Sequence, residues 1–391
     1  MYYPHAVMAD KLDSIRKLLD QTDKKIIDAL AKRQELVREI SSLKLDENQN
    51  IRDQKREEQL LSKITNLARE AGLDRYFAEQ LFKDIIYHSV RFQKHKLVDH
   101  QNARKDIELV EVAYQGTDGA FSHQAAHRHF EERYSEVHCF GYDTFRQAAR
   151  AVEDQEVDYA ILPIENTTAG SINETYDILG DSSLHIIGEE AIRVIHCLLA
   201  LEEVPLKRIR RIMSHPQAIA QCSNYLAKLH DCKVESYIDT AMSAKKVLED
   251  GDLSQAAIAG SYAADIYDLK ILERDLANQS ENFTRFVVVS RDPVEVDMQI
   301  PCKTSLLMVT SHDKGALIKC LNVIDDHNIR MTKLESRPKP NAPWKYQFYL
   351  DIEGNIANPD TQVALEELEQ EASALKVLGC YPAQVGNRDN T

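Results

Sequence analysis

The 391-residue sequence lacks the features that mark membrane, secreted and disulfide-rich proteins. No stretch approaches the ~20 consecutive apolar residues that a membrane-spanning helix needs. Residues 1–10 lack the basic segment and apolar run of a secretory signal. The seven cysteines are widely scattered and contain no CxxC pair. Because disulfide frameworks and zinc sites use closely spaced cysteines, the pattern predicts a cytoplasmic protein with neither.

Signatures of nucleotide binding and of common hydrolases are also missing. No GxxxxGK[ST] P-loop and no GxSxG nucleophile elbow occurs, and Gly116-Thr117-Asp118-Gly119 is too short for a dinucleotide fingerprint. We expect no metal, because no ligand cluster is evident among the histidines of the central region: His123, His127, His129, His215 and His230.

The positive charge that favours nucleic-acid binding is absent from most of the chain. The net charge is −15. Residues 1–100 contain 19 Lys and Arg against 17 Asp and Glu, whereas the rest contain 29 against 46. We therefore expect no nucleic-acid partner. We also expect the cations of the first hundred residues to serve a function within that region.

A long helix is predicted near the N-terminus by residues that recur at alternating spacings of three and four. The seam consists of Leu12, Ile15, Leu19, Thr22, Ile26, Ala29, Arg33, Leu36, Ile40 and Leu43. This pattern implies a helix of about 35 residues, roughly 50 Å long. Such a helix needs an equally long partner to bury its seam, most simply a second copy in a homodimer.

One position in this seam, Arg33, does not suit an apolar interface. A guanidinium buried there costs several kcal/mol unless an anion meets it, so either an internal ion pair, an extended side chain or a bound anion is required. A second helix is predicted to open at Asp53. A third, over about 74–97, continues its apolar stripe with Ser89 and Gln93. Cations and polar groups thus converge within the predicted bundle.

Eight positions in these three segments resemble the all-helical chorismate mutase family. They are Arg16, Arg33, Lys44, Asp53, Arg56, Glu57, Ser89 and Gln93. The resemblance covers residues 8–100 and implies a helical bundle that forms an intertwined dimer. It also implies the rearrangement of chorismate to prephenate without a cofactor, driven by substrate conformation and charge stabilisation.

The same resemblance implies a role for each of these side chains. Arg33 and Arg56 would grip carboxylates, with Arg16 reaching in from the partner subunit. Lys44 and Gln93 would face the ether oxygen. Asp53 and Glu57 would hold the ring hydroxyl and backbone, and Ser89 would meet a carboxylate.

The central region contains three predicted strand–loop–helix units. The first runs from Ile107 to a helix beginning at Ser122. The second is a buried strand over Tyr159–Ile164, a polar loop, and a helix capped by Ser171 with Glu174. The third ends in a capping box of Ser214 with Gln217. This alternation predicts parallel sheets with right-handed crossovers, in two lobes around a cleft over residues 106–292.

Four motifs of this region resemble those of prephenate dehydratase. They are Gly119-Ala120-Phe121-Ser122-His123, Pro163-Ile164-Glu165-Asn166-Thr167, Ser214-His215-Pro216-Gln217 and Asn282-Phe283-Thr284-Arg285-Phe286. The resemblance implies a two-lobed, periplasmic-binding-like domain that converts prephenate to phenylpyruvate. Thr284 would donate the proton, although a strand threonine can also reflect β-propensity alone. Glu165, Asn166, Thr167, Ser214 and Gln221 would line the site, with Arg285 and Phe286 shaping it.

Two departures from this family concern turns. The chain has Gln115-Gly116-Thr117 where the family often has Leu-Gly-Pro. It also has Asp268 where glycine is usual. Both affect the expected local turn geometry rather than the catalytic set.

The last segment, residues 300–382, has the predicted order βαββαβ of a ferredoxin-like fold. Gly315-Ala316-Leu317-Ile318, Glu335-Ser336-Arg337-Pro338 and the only tryptophan, Trp344, resemble the ligand motifs of ACT regulatory domains. The resemblance implies L-phenylalanine as a feedback inhibitor, whereas a purely structural dimerisation module is the alternative.

Together these resemblances imply a bifunctional enzyme of L-phenylalanine biosynthesis, cytoplasmic and homodimeric, with chorismate and prephenate as substrates. Two alternatives remain open at this point. The helical segment could be a non-catalytic dimerisation element. Alternatively, the whole chain could be a binding protein with a solute-binding cleft and an amino-acid sensor.

Overall fold

The computed structural model describes residues 5–47, 54–102, 107–229, 231–311, 313–338 and 346–383. The chain divides into two compact units, Met1–His100 and Gln101–Thr391. Two residues with predicted roles, Asp53 and Trp344, lie outside the described residues. In the described part, no helix combines the length and apolar character needed to cross a membrane.

The first unit consists of three helices, as its periodicity predicts. They are α1 (His5–Glu47), α2 (Gln54–Glu70) and α3 (Arg75–Gln101). With 43 residues, α1 is longer than predicted and extends roughly 65 Å at 1.5 Å per residue. Its apolar seam is exposed: Leu19 is 56% accessible and Ile26 52%. The apolar face of α1 therefore remains largely uncovered within one chain.

The second unit begins with an α/β region of two sheets. Its elements are β1 (Leu109–Gln115), α4 (Phe121–Phe130), β2 (Glu136–Tyr142), α5 (Phe145–Glu153), β3 (Tyr159–Asn166), β4 (Gly170–Ser171), α6 (Asn173–Asp181), β5 (His185–Arg193), β6 (His196–Ala200), β7 (Arg211–Ser214), α7 (Pro216–Gln221), α8 (Ser223–Leu226), β8 (Lys233–Ser236), α9 (Thr240–Asp250), β9 (Gln255–Gly260), α10 (Ser261–Tyr267), β10 (Lys270–Glu273) and β11 (Phe283–Ser290).

The two sheets form two lobes with separate apolar cores. The first sheet has the order β2-β1-β3-β11-β5, with β4 beside β3, and the second the order β10-β6-β9-β7-β8. The prediction of parallel sheets is wrong in part. Pairs β1–β2, β1–β3, β7–β8 and β7–β9 are parallel, but β11 lies antiparallel between β3 and β5. The polypeptide leaves the first lobe after β5 and returns to it as β11. On its return it runs in the direction opposite to β3 and β5.

Both capping boxes predicted in this region are wrong, because tertiary contacts claim the serines. Helix α6 has Ile172 at its N-cap without a side-chain bond, and Ser171 donates to Glu335 instead. Helix α7 is capped by His215, whose Nδ1 accepts the Gln217 N–H at 3.2 Å. Ser214 donates to a backbone carbonyl of another strand. Helix α4 begins one residue before the predicted Ser122.

The departure at Asp268 keeps the backbone conformation for which glycine is suited. Asp268 ends α10 in the left-handed region, at φ 48° and ψ 41°. Aspartate enters this region more readily than most side chains. The usual turn is therefore retained without glycine.

The C-terminal segment has the predicted order βαββαβ. Its elements are β12 (Cys302–Val309), α11 (Ala316–Asp326), β13 (Arg330–Pro338), β14 (Tyr346–Glu353), α12 (Pro359–Glu371) and β15 (Ala374–Pro382). The sheet is antiparallel in the order β13-β14-β12-β15. Its core includes Leu306, Met308, Ile324, Leu350 and Leu368.

This C-terminal module packs directly against the first lobe. Leu378 and Tyr381 of β15 belong to the same apolar cluster as the core of that lobe. A Cβ atom on Gly379 would lie 2.0 Å from the carbonyl oxygen of Ile186 in β5. Glycine is required at this close approach. The module is therefore closely packed on the first lobe.

Candidate functional site

In the helical unit, Arg33 and Ser89 come together from two helices, as predicted. Arg33 Nη1 donates to Ser89 Oγ at 2.5 Å, and Ser89 donates to the Ile85 carbonyl at 2.8 Å. The guanidinium is half-buried, and burial lowers its pKa. No carboxylate of the described residues forms an ion pair with it. An internal ion pair thus does not explain the buried charge in this part of the chain, and the site suits an anionic ligand.

Three further predicted residues differ in burial. Lys44 and Glu57 are half-buried, whereas Arg56 is exposed. The Oε1 atom of Gln93 is buried and has no hydrogen-bond partner among the described residues. A buried amide oxygen without a partner is unfavourable, and a ligand that supplies a donor would satisfy it.

Arg16 does not join this group within one chain. It is exposed and lies 3.5 Å from Asp13 of its own helix. It precedes Arg33 by 17 positions on α1, which places it about 25 Å away along a straight helix at 1.5 Å per residue. Within one chain, Arg16 therefore lies too far from Arg33 to contact the same small ligand.

In the α/β region, the sheet brings Thr284 and Asn166 together as direct partners on β11 and β3. Asn166 Nδ2 donates to Thr284 Oγ1 at 3.0 Å. The Asn166 Oδ1 accepts the backbone N–H groups of Thr168 and Ala169, at 3.1 and 2.9 Å. In the described part of the chain, the hydroxyl hydrogen of Thr284 has no acceptor. The two residues therefore present a hydroxyl that is free to donate.

Gln221 joins this pair through Thr168, which lies outside the four motifs, and it also contacts His196 and Asn282. Its Nε2 donates to Thr168 Oγ1 at 2.6 Å, and its Oε1 lies 2.8 Å from His196 Nε2 and 3.3 Å from Asn282 Nδ2. Thr168 directly follows the second motif and Asn282 is the first residue of the fourth, which is the signal that could have found them. His196, at the start of an apolar strand, has no comparable signal in the sequence.

Three other predicted residues serve the framework here. Thr167 is exposed and bridges the Phe283 N–H and the Glu281 carbonyl. Ser214 is fully buried and donates to the Ile258 carbonyl at 2.6 Å. Phe286 is 2% exposed and lies in the core.

Arg285 lies toward the C-terminal module, because successive residues of a strand face opposite sides of the sheet. It donates to Glu189 at 2.9 Å, to Asp351 at 2.6 Å and to the Tyr381 hydroxyl at 3.2 Å. Its Nη1 lies 3.7 Å from Glu165. Burial acts to raise the pKa of the Asp351 carboxyl, but contacts headed by Arg285 hold the pKa below its usual range.

Strand β13 of the C-terminal module also contacts the first lobe. Lys333 Nζ lies 3.0 Å from Glu165, and Glu335 accepts from Ser171 at 2.6 Å. Arg337 Nη2 donates to Asp177 at 2.8 Å. Two residues of the predicted effector motif, Glu335 and Arg337, are thus bonded to the first lobe. The next residues of the motif, Ser336 and Pro338, pair with β14.

The other predicted effector motif lines a cavity of about 280 Å³. The lining residues are Thr310, Ser311, Asp313, Gly315, Ala316, Leu317 and Ile318. Gly315 has a φ of +85°, in the left-handed region, immediately before helix α11. A glycine in this conformation exposes backbone N–H groups that can meet a carboxylate.

A histidine cluster exists, contrary to the sequence prediction: His123, His127 and Cys139 have ligand atoms within 4.8 Å of one another. The Gly119 N–H donates to His123 Nδ1 at 3.0 Å, so His123 Nε2 carries the hydrogen and faces His127 Nε2 at 2.9 Å. His127 Nδ1 lies 2.7 Å from Glu131. This complete hydrogen-bond chain leaves no lone pair at His123 Nε2 for a metal. The geometry fits a structural chain better than a metal centre.

Comparisons with known proteins cover both units. Residues 15–94 match the model of the family "Chorismate mutase type II", and residues 112–294 match that of "Prephenate dehydratase". The "Bifunctional chorismate mutase/prephenate dehydratase" of Escherichia coli strain K12 is 39% identical over 376 residues, which cover 95% of this chain and 96% of the relative.

Among the similar solved structures, two have more than a quarter of their residues identical and cover about 70% of this chain. GqqA, described as a novel type of quorum quenching acylase, is 33% identical with a TM-score of 0.64, covering 70% of this chain and 98% of that one. A prephenate dehydratase from Arthrobacter aurescens, in complex with L-Phe, is 27% identical with a TM-score of 0.63, covering 70% and 90%.

Proposed function

This chain belongs to the family of bifunctional chorismate mutase/prephenate dehydratases, and we propose how its residues perform the two reactions and how they are regulated. The enzyme acts in L-phenylalanine biosynthesis, first as an isomerase and then as a carbon–oxygen lyase. Chorismate is rearranged to prephenate. Prephenate then loses water and carbon dioxide to give phenylpyruvate.

The mutase reaction belongs to residues 8–100. Arg33, Arg56 and Ser89 hold the two carboxylates of chorismate in the reactive conformation, and Asp53 and Glu57 hold the ring hydroxyl and backbone. Lys44 and Gln93 face the ether oxygen, where negative charge develops as the bond breaks. The half-buried Arg33, which donates to Ser89 without a paired carboxylate in the described residues, supports an anionic substrate.

The partner subunit's Arg16 completes this pocket in a homodimer. The exposed seam of α1 and the distance of Arg16 from Arg33 along one helix support this assembly. Two long helices packed along their seams would bury residues such as Leu19 and Ile26, each contributing about 1.5–3 kcal/mol when fully buried. We assign the enzyme to the cytoplasm, on its scattered free cysteines.

The dehydratase reaction belongs to residues 106–292, and one observation carries it: Asn166 donates to Thr284 Oγ1. A hydroxyl that already accepts a hydrogen bond directs its own hydrogen elsewhere. Thr284 therefore donates its proton to the ring hydroxyl of prephenate, which leaves as water, and the threonine oxygen regains a proton from solvent. The carboxylate departs as carbon dioxide, and its electron pair enters the ring, which becomes aromatic. Asn166 and Gln221 line the site, and Thr167, Ser214, Arg285 and Phe286 hold its framework. Glu165, which was expected to line the site, contacts Arg285 and Lys333 on the other side of the sheet and belongs to the contact with the C-terminal module.

L-Phenylalanine regulates the dehydratase through residues 300–382. Its carboxylate binds at Gly315 and its ring lies within the adjoining cavity, with Glu335, Arg337 and Trp344 completing the site. The complex of a relative with L-Phe supports this ligand. Because Glu335 and Arg337 are also bonded to the first lobe, binding at β13 competes with those bonds and shifts the catalytic region.

A coupled assay of the full chain on chorismate tests the proposal. The enzyme should form prephenate and then phenylpyruvate without added metal or cofactor, and L-phenylalanine should inhibit the second step. Formation of prephenate without phenylpyruvate would contradict the dehydratase assignment. Phenylpyruvate formed only from added prephenate would contradict the mutase assignment and favour a dimerisation element.

A further inference from the structure

A chain of side-chain hydrogen bonds in the α/β region begins at a buried histidine and ends at Thr284. His196 bonds to Gln221 at 2.8 Å, and Gln221 to Thr168 at 2.6 Å. Thr168 bonds to Asn166 at 2.7 Å, and Asn166 to Thr284 at 3.0 Å. His196 and Gln221 belong to the second lobe, whereas the other three belong to the first. This series of hydrogen bonds therefore connects the two lobes at Thr284.

At the Thr284 end of this hydrogen-bond series, backbone N–H groups determine which atoms donate and which accept. Two backbone N–H groups donate to Asn166 Oδ1, so the other end of the amide must be the Nδ2 that faces Thr284. The Thr168 hydroxyl also reaches Oδ1 at 2.7 Å, and an amide oxygen can only accept. Thr168 consequently donates to Asn166 and must accept from its other neighbour, Gln221.

The opposite end is fixed by two donors at Gln221 Oε1. Asn282 Nδ2 lies 3.3 Å from this oxygen, and His196 Nε2 lies 2.8 Å from it. His196 therefore carries its hydrogen on Nε2. The imidazole is 2% exposed, and burial lowers its pKa, which keeps it neutral. The neutral imidazole donates one hydrogen bond, from Nε2 to Gln221 Oε1.

We propose that Thr168 and His196 are positioning residues of the dehydratase: their hydrogen bonds orient Gln221 and Asn166 so that Thr284 presents its hydroxyl hydrogen to the leaving hydroxyl of prephenate. The inference rests on the proposed function. It adds that neither residue contacts the substrate and that both act through the amides. The second hydrogen of Gln221 Nε2, which has no acceptor in the described ranges, is directed to the substrate by the same arrangement.

Two pairs of variants in the full-length enzyme test this proposal. Thr168→Val removes the hydroxyl and keeps the shape, and Thr168→Ser keeps the hydroxyl. His196→Leu removes the donor, and His196→Gln supplies an amide N–H in its place. We expect Thr168→Val and His196→Leu to lower kcat on prephenate by about 10- to 100-fold, since misplacement of a reacting group has effects of this size. KM should change little, and the two matched variants should recover most of kcat.

Mutase activity and thermal unfolding of each variant are measured alongside. Wild-type kcat in Thr168→Val and His196→Leu would overturn the proposal. An equal loss in Thr168→Val and Thr168→Ser would also overturn it, because it would indicate loop packing rather than the hydroxyl. Thr284→Ala separates the two levels. If Thr284→Ala is inactive while the Thr168 and His196 variants keep wild-type kcat, only this inference is refuted. If the wild-type enzyme itself does not convert prephenate, the proposed function is refuted.

Discussion

The helical unit and the α/β unit differ in how much of an active site one chain contains. In the helical unit, the α1 seam is exposed and Arg16 lies far along the helix from Arg33. In the α/β unit, Thr284, Asn166 and Gln221 are connected by hydrogen bonds within one chain. The comparison teaches that the two reactions place different demands on assembly. The proposed mutase site takes Arg16 from a second copy of the chain, whereas the proposed dehydratase residues are already connected within one chain.

The difference follows from how each unit buries apolar surface. A helix of 43 residues has a seam too long for α2 or α3 to cover. The two α/β sheets instead enclose their own cores, in which Ile161, Leu162 and Val287 are fully buried. Strands from distant parts of the chain then become neighbours in one sheet. The proposed site residues are thus brought together within a single subunit.

The largest effect should come from removing the hydroxyl of Thr284. Thr284→Ala should lower phenylpyruvate formation by about 10³-fold, because a positioned proton donor contributes 10²–10⁴-fold. Mutase activity should remain at the wild-type level, since it belongs to the other unit. Thr284→Ser is the matched control and should keep much of the activity. Simultaneous loss of both activities would break the comparison.

The converse experiment removes Lys44. Lys44→Ala should reduce mutase activity by about 10²–10³-fold, the size expected for one group that stabilises developing charge. Dehydratase activity should be unchanged. Lys32→Ala is a suitable control, because Lys32 is exposed and pairs only locally with Glu35. Full mutase activity in a folded Lys44→Ala enzyme would contradict the pocket assignment.

A smaller effect should appear in the pH dependence of the α/β unit. Burial, aided by His127, lowers the pKa of His123 to about 4. The unfolded histidine has a pKa near 6.5, so between these values the unfolded chain binds more protons. The stability of this unit should therefore fall by about 1–3 kcal/mol as the pH drops from about 6.5 to 4. Urea unfolding followed by dehydratase activity measures this.

His123→Gln should flatten that pH dependence, because it removes the titrating group. The free energy of unfolding of the His123→Gln variant near pH 7 depends on the contacts that the glutamine side chain makes, and it is measured separately. An unchanged slope between wild type and variant would show that another group is responsible.

The smallest expected effect concerns regulation. Asp177→Asn weakens the bond from Arg337 without altering the effector motif. Since a partly exposed ion pair contributes about 1 kcal/mol or less, inhibition by L-phenylalanine should change by up to about fivefold. Calorimetry of L-phenylalanine binding and dehydratase assays would be compared. Unchanged inhibition would mean that β13 does not transmit the signal through this contact.

Periodicity predicted the long helix, the buried strands and the βαββαβ order, because these depend on local patterns of burial. The caps at Ser171 and Ser214 could not be predicted in the same way. Their hydroxyls are taken by Glu335 and by the Ile258 carbonyl, which are distant in sequence. A local motif predicts a cap only where no tertiary partner competes for the side chain.

The same limit applies to the candidate sites. Thr284 and Arg285 are adjacent in one motif, yet strand geometry directs them to opposite faces, toward Asn166 and toward Asp351. His196 belongs to no motif, and only the fold brings it to Gln221. The histidine cluster on helix α4 was missed because its third member, Cys139, reaches it from strand β2.

A subunit-mixing experiment tests the central comparison most directly. Arg16→Ala and Lys44→Ala enzymes, each nearly inactive as a mutase, are unfolded, mixed in equal amounts and refolded together. If each mutase site combines Lys44 of one chain with Arg16 of the other, half of the dimers are mixed and one of their two sites is intact. About a quarter of wild-type mutase activity should return. No recovery of mutase activity, with normal dehydratase activity in the mixture, would contradict the account.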